Sequence, residues 1–124
     1  MKILLCDSDP AVANLIRFIV TRQQLGEVVV ASNGREAMVM LSKLSFDMVI
    51  TELEPGHFST LEMITYIREN IGQHIPIILL ANADQEDKVL EGFRTGANDY
   101  MLKPFSLAEL ALRIKRFADR GEQT

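Results

Sequence analysis

The chain has 124 residues, of which 48% are hydrophobic and 24% are charged, and its formal net charge is −4. These values are typical of one globular domain, and the negative charge without a basic stripe argues against direct binding of nucleic acid. No apolar run reaches the roughly 20 residues that a membrane span requires. The sequence starts directly on a strand-like segment without a signal peptide, and its single cysteine, Cys6, lies in an apolar run. We therefore expect a cytoplasmic protein in which Cys6 is a buried small side chain.

In chain order, short apolar runs alternate with segments whose apolar residues repeat at helical spacing. The runs predict β-strands at residues 2–6, 27–31, 47–51, 75–80 and 100–102. A residue suited to helix capping opens each helical segment, namely Asp9, Asn33, Ser59, Asp84 and Ser106. Five strands that alternate with five helices predict a parallel sheet with helices on both faces. Residues 120–124 are interpreted as a polar tail or the start of a linker.

Polar residues follow four of the predicted strands, and the carboxyl ends of parallel strands converge on one crevice. They are Asp7, Ser8 and Asp9 after the first strand, Glu52 after the third, Asn82 beside Ala81 after the fourth, and Lys103 before Pro104 after the fifth. Acids from two strands that face a lysine from a third could hold Mg²⁺ or a phosphoryl group. Alternatively, Asp7 and Asp9 cap a helix while Glu52 and Lys103 form an ion pair that fills the crevice. The residues alone leave both interpretations open.

Residues 96–105, Gly-Ala-Asn-Asp-Tyr-Met-Leu-Lys-Pro-Phe, resemble the signature around the invariant lysine in receiver domains of two-component response regulators. The acidic turn at 7–9 and the strands at 47–52 and 76–80 are similar to the matching segments of that family. The resemblance implies a flavodoxin-like (βα)5 fold with strand order 2-1-3-4-5, an order for which a member of this family is a standard example. It also implies a receiver domain at residues 1–119 that is not an enzyme and whose partners are an output domain or effector and a histidine kinase.

Three positions depart from the family pattern that the resemblance implies. Ser8 replaces an acid that helps to hold Mg²⁺, Glu52 replaces the phospho-accepting aspartate, and Ala81 replaces the switch threonine or serine. A hydroxyl is a far poorer Mg²⁺ ligand than a carboxylate, and alanine offers no donor to a phosphoryl group. Three family positions are matched, namely Asp7, Tyr100 and Lys103.

We interpret these departures as an atypical receiver that is not phosphorylated by the usual route. Glu52 is expected to reach Lys103 and to stand in for the phosphoryl group, because its extra methylene moves the negative charge outward. No metal or other cofactor is expected, and any Mg²⁺ would bind weakly through Asp7 and Glu52. One alternative is a receiver that is still phosphorylated weakly, with Asp9 compensating for Ser8. Another is a flavodoxin-like enzyme or nucleotide binder, which is disfavoured because residues 7–10 are acidic and not glycine-rich.

Two further expectations concern the output side of the domain. Because Ala81 leaves room beneath it, Tyr100 is predicted to be held inward, and a half-buried tyrosine at the start of the strand is the alternative. The fourth helix, fifth strand and fifth helix carry charges that resemble those of symmetric dimers in the winged-helix transcription-factor branch, namely Asp99, Glu109, Arg113 and Arg120. A homodimer through this face is therefore one prediction, and a solvated charged face is the alternative. His57 and His74 are expected in surface loops.

Overall fold

The structure, a computed structural model, describes residues 1–122, with side chains described for residues 1–118. Within residues 1–122 the chain forms five β-strands and five α-helices in strict alternation. The strands are β1 (Lys2–Cys6), β2 (Glu27–Ala31), β3 (Met48–Glu52), β4 (Ile77–Ala81) and β5 (Asp99–Leu102). The helices are α1 (Pro10–Arg22), α2 (Gly34–Lys43), α3 (Thr60–Asn70), α4 (Glu86–Thr95) and α5 (Leu107–Glu122). None of these helices is both long and apolar enough to span a lipid bilayer.

All five strands are parallel and lie in the order β2-β1-β3-β4-β5, which confirms the predicted flavodoxin-like fold. The register places Cys6 opposite Thr51, and Glu52 opposite Leu80. At the next strand, Ala81 lies opposite Leu102. Because these pairs close the ladders at the same edge, the residues that follow β1, β3, β4 and β5 meet there.

The sheet is buried on both faces, as the apolar strands predicted. Leu4 and Cys6 of β1 belong to the core formed with α2, α3 and α4, whereas Ile3 and Leu5 belong to the core formed with α1 and α5. The alternation of side chains along the strand produces this division. Burial raises the pKa of the Cys6 thiol to about 12, so Cys6 is a protonated, buried side chain as expected.

The predicted helix caps form at most helix starts. Asp9 Oδ1 accepts a hydrogen bond from Ala11 N at 2.9 Å, and Ser106 Oγ accepts one from Glu109 N at 3.0 Å. Asn33 also caps α2, since its Oδ1 accepts a hydrogen bond from Glu36 N at 2.9 Å. The carboxylate of Glu36 accepts a bond from the Ser32 hydroxyl at 3.1 Å. These caps satisfy N–H groups that a helix leaves without a partner.

Several element boundaries differ from the prediction. β3 lies one residue later than the predicted 47–51, and β5 begins one residue before the predicted 100–102. β4 begins at Ile77 rather than residue 75, because Pro76 has no N–H to donate to a neighbouring strand. The segment before α4 is a short 3₁₀ turn held by Asn82 and Gln85, so Asp84 does not open the helix. Helix α5 continues to Glu122, so the first three residues of the predicted 120–124 tail are helical.

Candidate functional site

The residues at four strand ends come together at the carboxyl edge of the sheet. Asp7 directly follows β1, Glu52 ends β3, Ala81 ends β4 and Lys103 directly follows β5. Backbone hydrogen bonds from Asp7 N to Ala31 O and from Lys103 N to Ala81 O extend the ladders by one residue. Asp7 and Lys103 are therefore held by the sheet itself, and their side chains start from fixed positions.

Lys103 contacts both acids of the crevice. Its Nζ atom lies 2.8 Å from Asp7 Oδ2 and 3.8 Å from Glu52 Oε2. The structure therefore brings Glu52 to Lys103, as the sequence predicted, but Asp7 is the nearer partner. The peptide bond between Lys103 and Pro104 is cis.

Asp7 is the most deeply buried acid of the site, with 3% of its surface exposed. Its Oδ2 accepts the hydrogen bond from Lys103, and its Oδ1 accepts one from the backbone N–H of Asp9 at 2.9 Å. A buried carboxylate needs such donors, because the loss of hydration is otherwise costly. Both oxygens of Asp7 are therefore engaged by the protein.

Glu52 bends over the β1–α1 turn. Its Oε1 accepts a hydrogen bond from the backbone N–H of Ser8 at 3.1 Å, while Oε2 faces Lys103. Burial, and next the negative charge of Asp7, raise the pKa of Glu52. Hydrogen bonds from the Ser8 backbone and hydroxyl, together with Lys103, act in the opposite direction. The carboxylate is thus held by donors in a crevice that carries excess negative charge.

These residues do not fit a resident divalent cation well. Mg²⁺ takes oxygen ligands and commonly uses one or two carboxylates. Here the Asp7 and Glu52 oxygens face protein donors, and Ser8 supplies no carboxylate. Asp9, the suggested substitute, uses Oδ1 to cap α1. In residues 1–118 no group of three or more His, Cys, Asp or Glu side chains is placed to bind a metal.

The prediction for Tyr100 is wrong. Its side chain is not held inward; 38% of the residue surface is exposed. The ring packs edge-to-face against Phe93 of α4, with centroids 5.9 Å apart and an interplanar angle of 83°. An edge-to-face aromatic pair is favourable, and it explains the outward position.

Three of the charged residues predicted to lie in a dimer interface interact with one another inside the chain. Arg113 Nη1 donates to Asp99 Oδ1, and Arg113 Nη2 lies 3.7 Å from Glu109 Oε1. The hydrogen bond to Asp99 raises the pKa of Arg113. The side chain of Arg120 lies outside the described residues. His57 and His74 are exposed, as expected.

Two further interactions were not anticipated from sequence, one beside the site and one at the opposite, amino-terminal edge of the sheet. Lys88 Nζ of α4 lies 3.9 Å from Glu54 Oε1, in the loop after β3. Arg68 of α3 donates to the carbonyls of Gly72 and Gly96 and to Asn98 Oδ1. Lys88 and Glu54, and Arg68 and its partners Gly96 and Asn98, are far apart in sequence, so periodicity and capping patterns carry no signal for these contacts.

Comparison with known proteins identifies the family. The family model of the response regulator receiver domain matches residues 3–115. The chain belongs to the response regulator receiver domain family. This match confirms the resemblance to receiver domains seen at residues 96–105. The members of this family are signalling modules.

Individual relatives support the assignment of the chain to this family. The transcriptional regulatory protein SrrA of Staphylococcus aureus is 31% identical over 99% of the chain and 50% of its own length. The solved response regulator DrrB of Thermotoga maritima is 30% identical, with a TM-score of 0.83 over 97% of this chain and 53% of that one. The chemotaxis response regulator CheY4 of Vibrio cholerae is 25% identical, with a TM-score of 0.82 over 94% of this chain and 97% of that one. The chain thus spans about half the length of the curated relatives it matches.

Proposed function

We propose that this receiver domain signals through protein contacts from a site that is not phosphorylated by the usual route. The observation that carries the proposal is the position of the Glu52 carboxylate between the Ser8 backbone N–H, at 3.1 Å, and Lys103 Nζ, at 3.8 Å. In this reading Glu52 supplies the negative charge that a phosphoryl group would otherwise bring to Lys103. The module works without catalysis and without a resident metal.

The chemistry of the site supports this proposal. Phosphoryl transfer depends on a positioned nucleophile and on cations that neutralise the developing charge. The Glu52 carboxylate is already bonded to Ser8, and both oxygens of Asp7 are engaged. Ala81 is buried and offers no hydroxyl to a transferred group. Each feature removes a different requirement of the reaction, so their effects should combine.

The proposed partners are an output domain or effector and, upstream, a histidine kinase. SrrA is named a transcriptional regulatory protein and is about twice as long as the matched region. The face formed by α4, β5 and α5 exposes apolar side chains, among them Leu90 at 54% and Leu112 at 67%. We include a homodimer through this face in the proposal, because exposed apolar groups beside charges suit protein contacts.

Intact-mass measurement after incubation with acetyl phosphate and Mg²⁺ tests the phosphorylation claim. We expect no added phosphoryl mass in the native chain. The matched control is the triple variant Ser8→Asp, Glu52→Asp, Ala81→Thr, which restores the three family residues and should gain one phosphoryl group. The receiver domain of DrrB serves as a positive control for the donor. A stoichiometric gain in the native chain would reject the proposal and favour the weakly phosphorylated receiver.

Sedimentation velocity over a range of protein concentrations tests the homodimer. Leu112→Lys places a charge on the proposed face and should abolish self-association. Val39→Lys, on the exposed side of α2, is the matched control and should leave self-association unchanged. A native chain that sediments as a monomer at every concentration would remove the homodimer from the proposal.

A further inference from the structure

Arg68, near the end of α3, contacts the carboxyl end of α4 through its side chain. Its Nε and Nη2 atoms both donate to the carbonyl of Gly96, the residue after α4, at 3.1 and 2.8 Å. Nη2 also donates to Asn98 Oδ1 at 2.8 Å. Nη1 donates to the carbonyl of Gly72, beyond the end of α3, at 3.0 Å. One planar guanidinium therefore joins the ends of two helices to the segment that leads into β5.

The backbone around Gly96 suits this contact. Gly96 has a φ of 138°, which favours glycine, and a Cβ there would lie only 3.0 Å from Arg68 Cγ and Nε. Asn98 Oδ1 accepts a second hydrogen bond from Ile77 N at 2.8 Å, and Asn98 N donates to the Ile77 carbonyl at 2.9 Å. These contacts connect α3, through Arg68 and Asn98, to the first residue of β4 at the amino-terminal edge of the sheet.

The electrostatics of this cluster favour its persistence. All four hydrogen bonds that Arg68 donates end on neutral oxygens. Carbonyl groups past the last turn of a helix carry the negative end of its dipole, so a cation there is favourable. Burial lowers the pKa of Arg68, because the guanidinium is partly withdrawn from water. A partly buried cation that lost these acceptors would be left without partners, which is costly.

The amino-terminal end of α4 is attached more loosely. Residues 86–88 are exposed, and the first buried side chain of the helix is Val89. Lys88 Nζ lies 3.9 Å from Glu54 Oε1, and the two side chains are 51% and 38% exposed. Exposed pairs of this kind contribute little to stability and are screened by salt. This loosely attached end lies beside the crevice, because Glu54 follows Glu52 by two residues.

We propose that Arg68 is a positioning residue that fixes the carboxyl end of α4, so that the face formed by α4, β5 and α5 rearranges through movement of the amino-terminal half of this helix. That half carries Leu90, which is 54% exposed on the face. A change at the crevice or a bound partner then displaces one end of α4 and leaves β5 in place. This inference deepens the proposed function and rests on it, because that face is the one assigned to partner contacts.

Hydrogen exchange measured at single amides by NMR tests the fixed end. The amides of Gly96, Ala97 and Asn98 are hydrogen-bonded, and Arg68→Met should speed their exchange about 10-fold, as for lost bonds to a charged group. The amide of Leu5, in the central part of the sheet, reports general stability and should change much less. Arg94→Met removes an exposed arginine from the last turn of α4 and is the matched control, which should leave all these amides unchanged.

Arg68→Lys separates the geometry of the guanidinium from its charge, and it provides the same test if Arg68→Met does not fold. Lysine keeps a cation near both helix ends but lacks the planar group that bonds several acceptors at once. Exchange at Gly96, Ala97 and Asn98 should be faster than in the native chain and slower than in Arg68→Met. Native exchange rates in Arg68→Lys would mean that charge alone is sufficient and would overturn the proposal.

Relaxation dispersion tests which end of α4 moves. In the native chain, amides of residues 87–91 should show conformational exchange on the microsecond-to-millisecond timescale, whereas those of residues 95–98 should show it only in Arg68→Met. Native exchange at both ends or at neither end would overturn the proposal, as would equal hydrogen-exchange effects of Arg68→Met at Leu5 and Gly96. These measurements use no phosphodonor or partner. Their failure is therefore distinguishable from an added phosphoryl mass, which would reject the proposed function instead.

Discussion

Lys103 lies closer to Asp7 than to Glu52, with Nζ–oxygen distances of 2.8 and 3.8 Å. The lysine is therefore the cation that makes the buried Asp7 carboxylate and the half-buried Glu52 carboxylate compatible, and Asp7 is its principal partner. The side chain of Asp7 is fully buried, whereas that of Lys103 is 23% exposed. This arrangement makes the two partners unequal, and the first prediction follows from that inequality.

Lys103→Met should destabilise the fold more than Asp7→Asn. Without Lys103, Asp7 and Glu52 face each other with no cation, whereas Asp7→Asn leaves Glu52 to pair with Lys103. We expect losses of about 2 and about 1 kcal/mol, below the roughly 3–5 kcal/mol for breaking a fully buried pair, because Lys103 reaches solvent. Urea unfolding at neutral pH measures both. Lys115→Met, on the exposed side of α5, is the control, and equal losses in the two site variants would contradict the prediction.

Glu52→Gln should gain stability relative to the native chain as the pH rises. Burial and Asp7 raise the pKa of Glu52 above the ordinary value of 4.5, so the folded state binds this proton more tightly than the unfolded state. The resulting stabilisation is present below pH 4.5 and is lost as the pH rises through the folded pKa. Glutamine does not titrate and avoids that loss.

This difference is tested by measuring the urea midpoints of Glu52→Gln and of the native chain from about pH 4 to about pH 7.5. That pH range spans the titration of Glu52 in the unfolded and folded states. Glu69→Gln, an exposed glutamate of α3, is the control and should follow the native curve. Parallel curves for Glu52→Gln and the native chain would show that Glu52 does not titrate differently in the folded state.

Gly92→Ala should destabilise the packing of α4 on the sheet. A Cβ at Gly92 would lie 2.6 Å from Leu79 Cδ1, which is too close for a normal contact. Overpacking of this kind costs about 1–3 kcal/mol, which outweighs the roughly 1 kcal/mol gain in helix propensity. Thermal or urea unfolding measures the change. At the exposed position 91 of the same helix, the stability difference between Glu91→Ala and Glu91→Gly gives the propensity effect alone. A stabilised Gly92→Ala would mean that Leu79 moves away freely.

Arg113→Met should destabilise the fold by about 2 kcal/mol, because it leaves the buried Asp99 carboxylate without its cation. Within the described residues, Asp99 Oδ2 has no hydrogen-bond partner, so Asp99 depends strongly on the bond that Oδ1 accepts from Arg113. The stability lost on Arg113→Met should be smaller when Asp99 is replaced by Asn. A double-mutant cycle of these two substitutions, measured by urea unfolding, tests this. Arg94→Met, exposed on α4, is the control; an equal effect of Arg94→Met and Arg113→Met would contradict the intramolecular pair.

The positions of the strands were predictable because their signals are local and strong, whereas the order of the strands was implied by the resemblance to the receiver family. β1 and β2 are observed at the predicted residues, since each apolar run is bounded by polar or turn residues. The start of β4 was predicted two residues early because Pro76 is apolar but cannot donate to a ladder. The start of α4 was missed because Asn82 and Gln85 compete with the acids at 84 and 87 as caps.

The composition of the site was likewise visible in the sequence. Asp7, Glu52 and Lys103 follow or end recognisable strands, and a parallel sheet collects such residues at one edge. The preference of Lys103 for Asp7 was not visible, nor was the hydrogen bond from the Ser8 backbone N–H to Glu52. Both depend on differences of about an ångström between side chains that the chain separates by tens of residues.

By itself, the sequence determined the alternation of strands and helices, the edge where the polar residues gather and the three departures from the family pattern. Hydrophobic periodicity and capping act over a few residues, so they can be read directly from the chain. The tertiary structure decided which way Tyr100 faces, that Arg113 pairs with Asp99 inside the chain, and that Glu52 is held by Ser8. These outcomes depend on which distant groups compete for the same donor or the same space, and that competition exists only once the sheet has assembled.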